Sequence, residues 1–269
     1  MELLDSSRNY HSQNGEDGII AKIFATIGET DRWCCEFGAW DGVHFSNTRQ
    51  LVNSGWSALL IESDPERYEQ LKSNNAGNDR VVALNRMVDT SENTLDALLA
   101  ETGVSRLDLL VVDVDGHDFD IFASLQARPR VICIEVNAGH SPIEDRRLPP
   151  AVAARNIGQP LALFAEVAKT RGYQLVAYSG NAFFVHTDAA DGLPSLSAAE
   201  AYDSFLEHLG PAERRWLYHV NRGDVPPYHR FHNERLTREG LGLGRRYLGL
   251  RWRAFRLLRR LRGRDAQSA

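Results

Sequence analysis

The sequence has few cysteines and no long apolar run. Its three cysteines, Cys34, Cys35 and Cys133, all lie in apolar strand-like segments, where cysteine usually acts as a small buried hydrophobic residue rather than as a disulfide or zinc ligand. No apolar run approaches the ~20 residues of a membrane-spanning helix. Residues 1–11 lack the apolar core of a secretory signal. We therefore expect a cytoplasmic protein in a reducing compartment.

Charge is distributed unevenly along the chain. The formal net charge is −5, but residues 238–269 carry ten arginines against Glu239 and Asp265, a net of +8, which leaves −13 for residues 1–237. Within residues 244–262 the arginines surround apolar residues at helical spacing, namely Leu248, Trp252, Phe255, Leu258 and Leu261. This pattern predicts a basic amphipathic helix.

A basic amphipathic helix of this kind can lie in an anionic membrane interface. The protein would then be peripheral at the inner face of the membrane. Docking on the acidic body, or self-association, is an equally open alternative for residues 244–262. The segment carries no recognisable nucleic-acid-binding module, so we expect no nucleic-acid partner.

Strand-like and helical patterns alternate through the first two thirds of the sequence. Strands are predicted at residues 33–38, 57–63, 80–88, 107–115 and 130–137. Helices are predicted at residues 16–27, after Asp64-Pro65, around 95–99 and 119–125, and at 161–170. Two further β-rich runs flank Ser179-Gly180-Asn181 and predict a hairpin. Together these elements indicate an α/β fold with a doubly wound, mostly parallel sheet closed by an antiparallel hairpin.

A candidate cofactor site follows the first two strands. Glu36 ends the first strand and is followed by a turn that contains Gly38 and Gly42, which permit close backbone approach and tight turning. Glu62 ends the second strand, where a carboxylate can accept hydrogen bonds from both hydroxyls of a ribose. The turn reads GAWDG and not the GxGxxG that a pyrophosphate favours, and Asp41 within it suits a cofactor that carries a sulfonium and an amino group.

Further ionisable residues follow the fourth and fifth strands. Asp113, Asp115 and His117 come after strand four, and Glu135 ends strand five, followed by Asn137 and His140. Ligands bind at the carboxyl edge of such sheets. These side chains could serve as the base toward a substrate hydroxyl. Their carboxylates could alternatively bind a divalent cation.

Five segments in order resemble the FkbM-like branch of the S-adenosylmethionine-dependent methyltransferases: SQNGEDGII, CCEFGAWDGVHFSNT, IESDPERY, VVDVDGHDFDI and ICIEVN. The resemblance spans about Ser12 to His186. It implies a seven-stranded, Rossmann-like methyltransferase fold, S-adenosylmethionine as cofactor, and O-methylation of hydroxyls on sugars, glycans or natural products.

The resemblance also implies roles for individual residues. Glu36, Gly38 and Gly42 line the methionine side of the cofactor, Glu62 holds the ribose, and residues 113–116 face the methyl group. The segment containing Gln13, Glu16 and Asp17 covers the cofactor mouth. We therefore predict Asp115, His117 and Glu135 as catalytic residues, and as cofactor-binding residues Gln13, Glu16, Glu36, Gly38, Gly42, Glu62 and Asp113.

The predicted organisation is a methyltransferase domain at residues 1–190, a helical extension at 191–237 and a basic tail at 238–269. The leading hypothesis is an O-methyltransferase with a small-molecule or glycan acceptor. A noncatalytic scaffold or binding protein in glycan assembly at the membrane is the main alternative. A nicotinamide-dependent oxidoreductase is a third, and it would require tight NAD binding in the same crevice.

Overall fold

The structure is a computed structural model that describes residues 3–114, 116–136, 142, 147 and 158–209. Predictions for Asp115, Asn137, His140 and the basic tail lie outside these residues.

A seven-stranded sheet forms the centre of the fold, in the order β3-β2-β1-β4-β5-β7-β6. The strands are β1 (Trp33–Phe37), β2 (Ser57–Glu62), β3 (Val81–Asn85), β4 (Leu109–Val112), β5 (Val131–Glu135), β6 (Tyr173–Tyr178) and β7 (Asn181–His186). The first five strands pair in parallel, whereas β7 is antiparallel to both β5 and β6. The predicted mostly parallel sheet with a closing antiparallel hairpin is confirmed.

Most of the described α-helices lie in the connections between strands, and one lies before the first strand and one after the last. They are α1 (Glu16–Ile27), α2 (Arg49–Asn53), α3 (Pro65–Asn74), α4 (Leu95–Thr102), α5 (Asp118–Ser124), α6 (Leu161–Thr170) and α7 (Ala198–His208). α3 begins where predicted because Pro65 occupies its first turn and the Asp64 side chain accepts from two backbone N–H groups there. α1 and α6 have the predicted bounds.

The third, fourth and fifth strands are shorter than predicted. β4, for example, covers residues 109–112 rather than 107–115. Strand pairing sets this length, because Leu109–Val112 are the residues of β4 that pair with both β1 and β5. The polar residues that follow β4 therefore lie in a loop and not in a strand.

The central strands are buried, as expected of parallel strands with helices on both faces. The three cysteines lie in β1 and β5 as free, buried thiols. Burial raises the pKa of each thiol well above its usual value. The cysteines thus pack as hydrophobic residues, as predicted.

One compact unit comprises residues 1–210. Within it α7 packs against β6 and starts at a capping box formed by Ser197 and Glu200. Within the described ranges, no helix has the length and apolar character needed to cross a bilayer.

Candidate active site

A cavity of about 430 Å³ opens at the carboxyl edge of the sheet. Seven of the ten predicted site residues line it: Gln13, Glu36, Gly38, Glu62, Asp113, His117 and Glu135. A larger concavity of about 590 Å³ includes Ile27, Arg130 and His186, and it lies at the opposite edge. The first cavity is the candidate site because ligands of open α/β sheets bind at the carboxyl edge.

Glu62 is buried at the end of β2 and held by two backbone groups. The N–H of Trp40 donates to Oε2 at 2.9 Å, and the N–H of Asp64 donates to Oε1 at 2.8 Å. A carboxylate has about four lone-pair sites. Each oxygen of Glu62 therefore keeps capacity for one further donor, such as a ribose hydroxyl.

Gly38 lines the cavity, but a different contact explains why it is glycine. Its φ is +71°, and a Cβ at this position would lie 1.9 Å from the carbonyl oxygen of Asp113. The close approach that the structure shows is to the backbone after β4, and the predicted close approach to a ligand stays a prediction. A side chain here would push apart the two strand ends that form the floor of the cavity.

The carboxylate of Glu36 holds the loop that follows β1 through hydrogen bonds. Its oxygens accept from the Ser46 hydroxyl (2.7 Å), the Asn47 N–H (2.7 Å) and the Thr48 hydroxyl (2.6 Å). Burial raises the pKa of Glu36, and these three hydrogen bonds oppose the shift. Glu36 therefore stabilises the wall of the cavity as well as lining it.

The N-terminal segment is anchored beside the cavity by two buried carboxylates. Oδ2 of Asp17 accepts from the backbone N–H groups of residues 10–12 at 2.7–2.9 Å. Oε2 of Glu16 accepts from the Asn14 N–H at 2.6 Å, and its Oε1 accepts from the Asn181 side chain at 3.2 Å. Burial raises the pKa of Glu16. Gln13 lines the cavity, whereas Glu16 is not among the lining residues.

Gly42 and Asp41 contact α3 and are not among the residues that line the cavity. A Cβ on Gly42 would meet the Leu71 side chain at 2.6 Å, so this glycine packs against α3. The carboxylate of Asp41 bonds the His44 ring and the backbone N–H groups of Val43 and His44. Neither residue lines the cavity.

The ionisation of Asp41 reflects these contacts. Burial raises the pKa of Asp41, but the hydrogen bonds from the His44 ring and from the two backbone N–H groups outweigh it and lower the pKa overall. Asp41 is thus an ionised partner of His44. That its charge favours a cofactor with a sulfonium and an amino group stays a prediction.

The predicted catalytic residues that the structure describes, His117 and Glu135, both line the cavity and are exposed. Asp118 holds the loop before α5, because its carboxylate accepts from the N–H groups of Val114 and Gly116 at 2.8 and 2.9 Å. Within the described ranges, no group of three or more His, Cys, Asp or Glu residues is arranged to hold a metal ion.

Sequence reasoning missed the aromatic rim of the cavity, which consists of Trp40 and Phe45. Both residues adopt positive φ, at +50° and +57°, which is uncommon for large side chains. Their rings are exposed and lie 6.1 Å apart edge to face, and the Arg67 guanidinium lies 4.3 Å from the centre of the Trp40 ring. The sequence signal for this rim was the presence of two aromatic residues, Trp40 and Phe45, within three residues of Gly38 or Gly42.

The strand order, the closing hairpin and a carboxylate-lined cavity at the carboxyl edge place the chain in the Rossmann-like methyltransferase fold class. Residues 85–175, about a third of the chain, match the family model described as the methyltransferase FkbM domain. The predicted resemblance to the FkbM-like branch of S-adenosylmethionine-dependent methyltransferases is thereby confirmed.

Solved structures with similar folds include two bacterial proteins described as S-adenosylmethionine-dependent methyltransferases. The TehB-like protein of Corynebacterium glutamicum is 16% identical over 61% of this chain and 83% of its own, with a TM-score of 0.37. The protein of Aquifex aeolicus is 14% identical over 61% and 86%, with a TM-score of 0.37.

A third similar structure is CalO1, a methyltransferase of calicheamicin biosynthesis in its S-adenosylhomocysteine-bound form. It is 16% identical over 64% of this chain and 55% of its own, with a TM-score of 0.35. A comparison with curated proteins gives no significant match.

Proposed function

We propose that this protein transfers a methyl group from S-adenosylmethionine to a hydroxyl of a sugar, glycan or natural product. The family match supports the broader class, a methyltransferase that uses S-adenosylmethionine. The observation that carries the proposal is Glu62, a buried carboxylate fixed at the end of β2 and open to the cavity.

The cavity residues suit the cofactor in charge. Glu62 would accept hydrogen bonds from the ribose hydroxyls, and Glu36 and Asp113 would face the methionine part, where the cofactor carries its sulfonium and ammonium charges. Among the residues that the structure describes, four carboxylates line the cavity: Glu36, Glu62, Asp113 and Glu135. Bound S-adenosylmethionine supplies an electrophilic methyl group on sulfur.

The same charges disfavour a nicotinamide cofactor. A dinucleotide would bring two phosphates into this crevice, where among the described residues the four carboxylates outnumber the two arginines, Arg67 and Arg86. The turn after β1 also lacks the GxGxxG arrangement that sets a helix N-terminus against a pyrophosphate. The oxidoreductase alternative is therefore the weaker one.

The aromatic rim supports an acceptor that contains a ring. Ligand sites combine apolar and aromatic walls with a few polar groups that fix orientation. Trp40 and Phe45 supply such a wall beside the exposed side chains of His117 and Glu135. We keep Asp115, His117 and Glu135 as the residues proposed to align the acceptor hydroxyl with the methyl group.

Calorimetric titration with S-adenosylmethionine, S-adenosylhomocysteine and NAD tests the proposal. We expect saturable binding of the two sulfur compounds and no binding of NAD. Glu62→Ala should abolish binding, while Glu69→Ala, which alters an exposed carboxylate of α3 paired with Lys72, should leave it unchanged.

Glu62→Ala also removes the acceptor for two backbone N–H groups, so thermal unfolding of each variant must accompany the titration. Glu62→Gln keeps one carbonyl acceptor and should fold while binding more weakly. Absence of binding by folded wild-type protein would contradict the proposal and favour the noncatalytic scaffold. Tight NAD binding would favour the oxidoreductase.

A further inference from the structure

His44 and Asp41 form a carboxylate–imidazole pair at the cavity wall. Nδ1 of His44 lies 2.5 Å from Oδ2 of Asp41. The Asp41 side chain is 9% exposed, whereas that of His44 is 73% exposed and lines the cavity. A buried acceptor thus fixes one ring nitrogen and leaves Nε2 directed away from it.

The loop holds Asp41 in place independently of the His44 ring. Its Oδ1 accepts from the N–H groups of Val43 and His44 at 2.9 and 2.8 Å, and the Asn74 side chain donates to its backbone carbonyl at 2.9 Å. These contacts position the carboxylate before the imidazole binds it. The pair therefore has the geometry of a base and its orienting acid.

We propose that His44 is the general base that accepts the proton of the acceptor hydroxyl, and that Asp41 is its positioning residue. This inference rests on the proposed methyl transfer. With Nδ1–H donated to the Asp41 carboxylate, a neutral ring would carry its lone pair on Nε2, where it can take a proton.

In the methyl transfer, Nε2 takes the proton as the hydroxyl oxygen forms a bond to the methyl carbon and the carbon–sulfur bond breaks. The electron pair of that bond stays on sulfur, which becomes the neutral thioether of S-adenosylhomocysteine. The proton on His44 then passes to water, to which its exposed ring has access.

Among the described residues, His117 is the second imidazole that lines the cavity, and its side chain makes no capping hydrogen bond to α5. Its tautomer is therefore not fixed in the way that Asp41 fixes that of His44. The charged and titratable groups that face the cavity around His44 are Glu36, Glu62, Arg67, Arg86, Asp113, His117 and Glu135.

Nitrogen-15 NMR of the full chain with S-adenosylhomocysteine tests the pair without an acceptor. In neutral His44 we expect Nδ1 to give the protonated, pyrrole-type signal and Nε2 the pyridine-type signal. Asp41→Asn keeps an oxygen for the backbone N–H groups but should remove this preference. A wild-type His44 with the opposite tautomer would overturn the proposal.

Kinetics provide the second test, with S-adenosylhomocysteine formation measured on methyl glycosides, uronic acids and simple phenols as probes. His44→Gln should lower kcat by about 10²–10⁴-fold without changing the affinity for S-adenosylmethionine. The pH profile of kcat should differ between the variant and the wild type.

His186→Gln is the matched control, because His186 also lies near a carboxylate, Asp188, but at the opposite edge of the sheet. It should keep the wild-type kcat and pH profile. An unchanged kcat and pH profile in His44→Gln would overturn the assignment of the base. Failure of the proposed function would look different, because wild-type protein would then bind no S-adenosylmethionine.

Discussion

The backbone N–H of Trp40 donates a 2.9 Å hydrogen bond to the carboxylate of Glu62. This bond joins the loop after β1 to the end of β2, so the residue proposed to hold the ribose also fixes one residue of the aromatic rim. Occupation of the ribose position should therefore change the surroundings of the Trp40 ring.

Trp40 should report cofactor binding by fluorescence. We expect a saturable change in tryptophan emission on addition of S-adenosylhomocysteine, because the exposed Trp40 ring lines the cavity. Trp40→Phe should bind the compound in calorimetry but lose most of this signal. Trp56→Phe alters a tryptophan buried beside Phe24, away from the cavity, and should retain it. An equal signal in Trp40→Phe would contradict the prediction.

Gly38→Ala should strongly destabilise the fold. The added Cβ would lie 1.9 Å from the Asp113 carbonyl oxygen, so the ends of β1 and β4 would have to separate. We expect a loss of about 3 kcal/mol or more in the free energy of unfolding, measured by urea denaturation.

Gly103→Ala is the control for Gly38→Ala. Gly103 has a similar φ of +72°, but a Cβ there would meet nothing within 4 Å. Gly103→Ala should lower the free energy of unfolding by only about 1 kcal/mol, the cost of alanine in a left-handed conformation. Equal losses at the two positions would show that backbone conformation, and not the contact with Asp113, makes Gly38 necessary.

Glu36→Gln should destabilise the fold by about 2 kcal/mol, because an amide cannot accept all three hydrogen bonds of the carboxylate. The loss should depend on pH. Burial raises the pKa of Glu36 above its usual value of 4.5. The folded state therefore holds the proton more tightly than the unfolded state, and the resulting stabilisation is complete below the unfolded pKa and is lost as pH rises through the folded pKa.

Urea unfolding of wild type and Glu36→Gln at several pH values measures this effect. The difference in unfolding free energy should be largest below about pH 4.5, the usual pKa of the carboxyl in the unfolded chain, and should narrow as pH rises through the folded pKa. The raised pKa of Glu16 makes the stability of both proteins depend on pH, and this contribution cancels in the difference between them. A gap that widens with pH would mean that the pKa of Glu36 is lowered.

The basic tail should bind anionic membranes if it forms the predicted amphipathic helix. We expect the full chain to sediment with phosphatidylglycerol vesicles and not with phosphatidylcholine vesicles, and to be released by salt. Deletion of residues 238–269 should abolish binding. If the full chain and the deletion variant bind the vesicles equally, membrane contact through the tail is contradicted, and docking or self-association is favoured.

Much of the site could be predicted from residue type and strand position. Glu62 and Asp113 were placed correctly at the carboxyl edge because parallel strands carry the residues after their ends to the same place. The pairing of His44 with Asp41 was not predicted. Spacing of three residues in an irregular loop does not determine where side chains point, and here the bonds to residues 43 and 44 decide it.

By itself the sequence determined the mostly parallel α/β sheet, its closing hairpin and the edge at which the site lies, because these depend on hydrophobic periodicity and on turn residues that act locally. Only the tertiary structure decided that Gly38 is required by the backbone of Asp113, that Glu36 fastens residues 46–48 and that Trp40 and Phe45 face the cavity. These features depend on contacts between segments that the fold brings together, and local patterns do not encode such contacts.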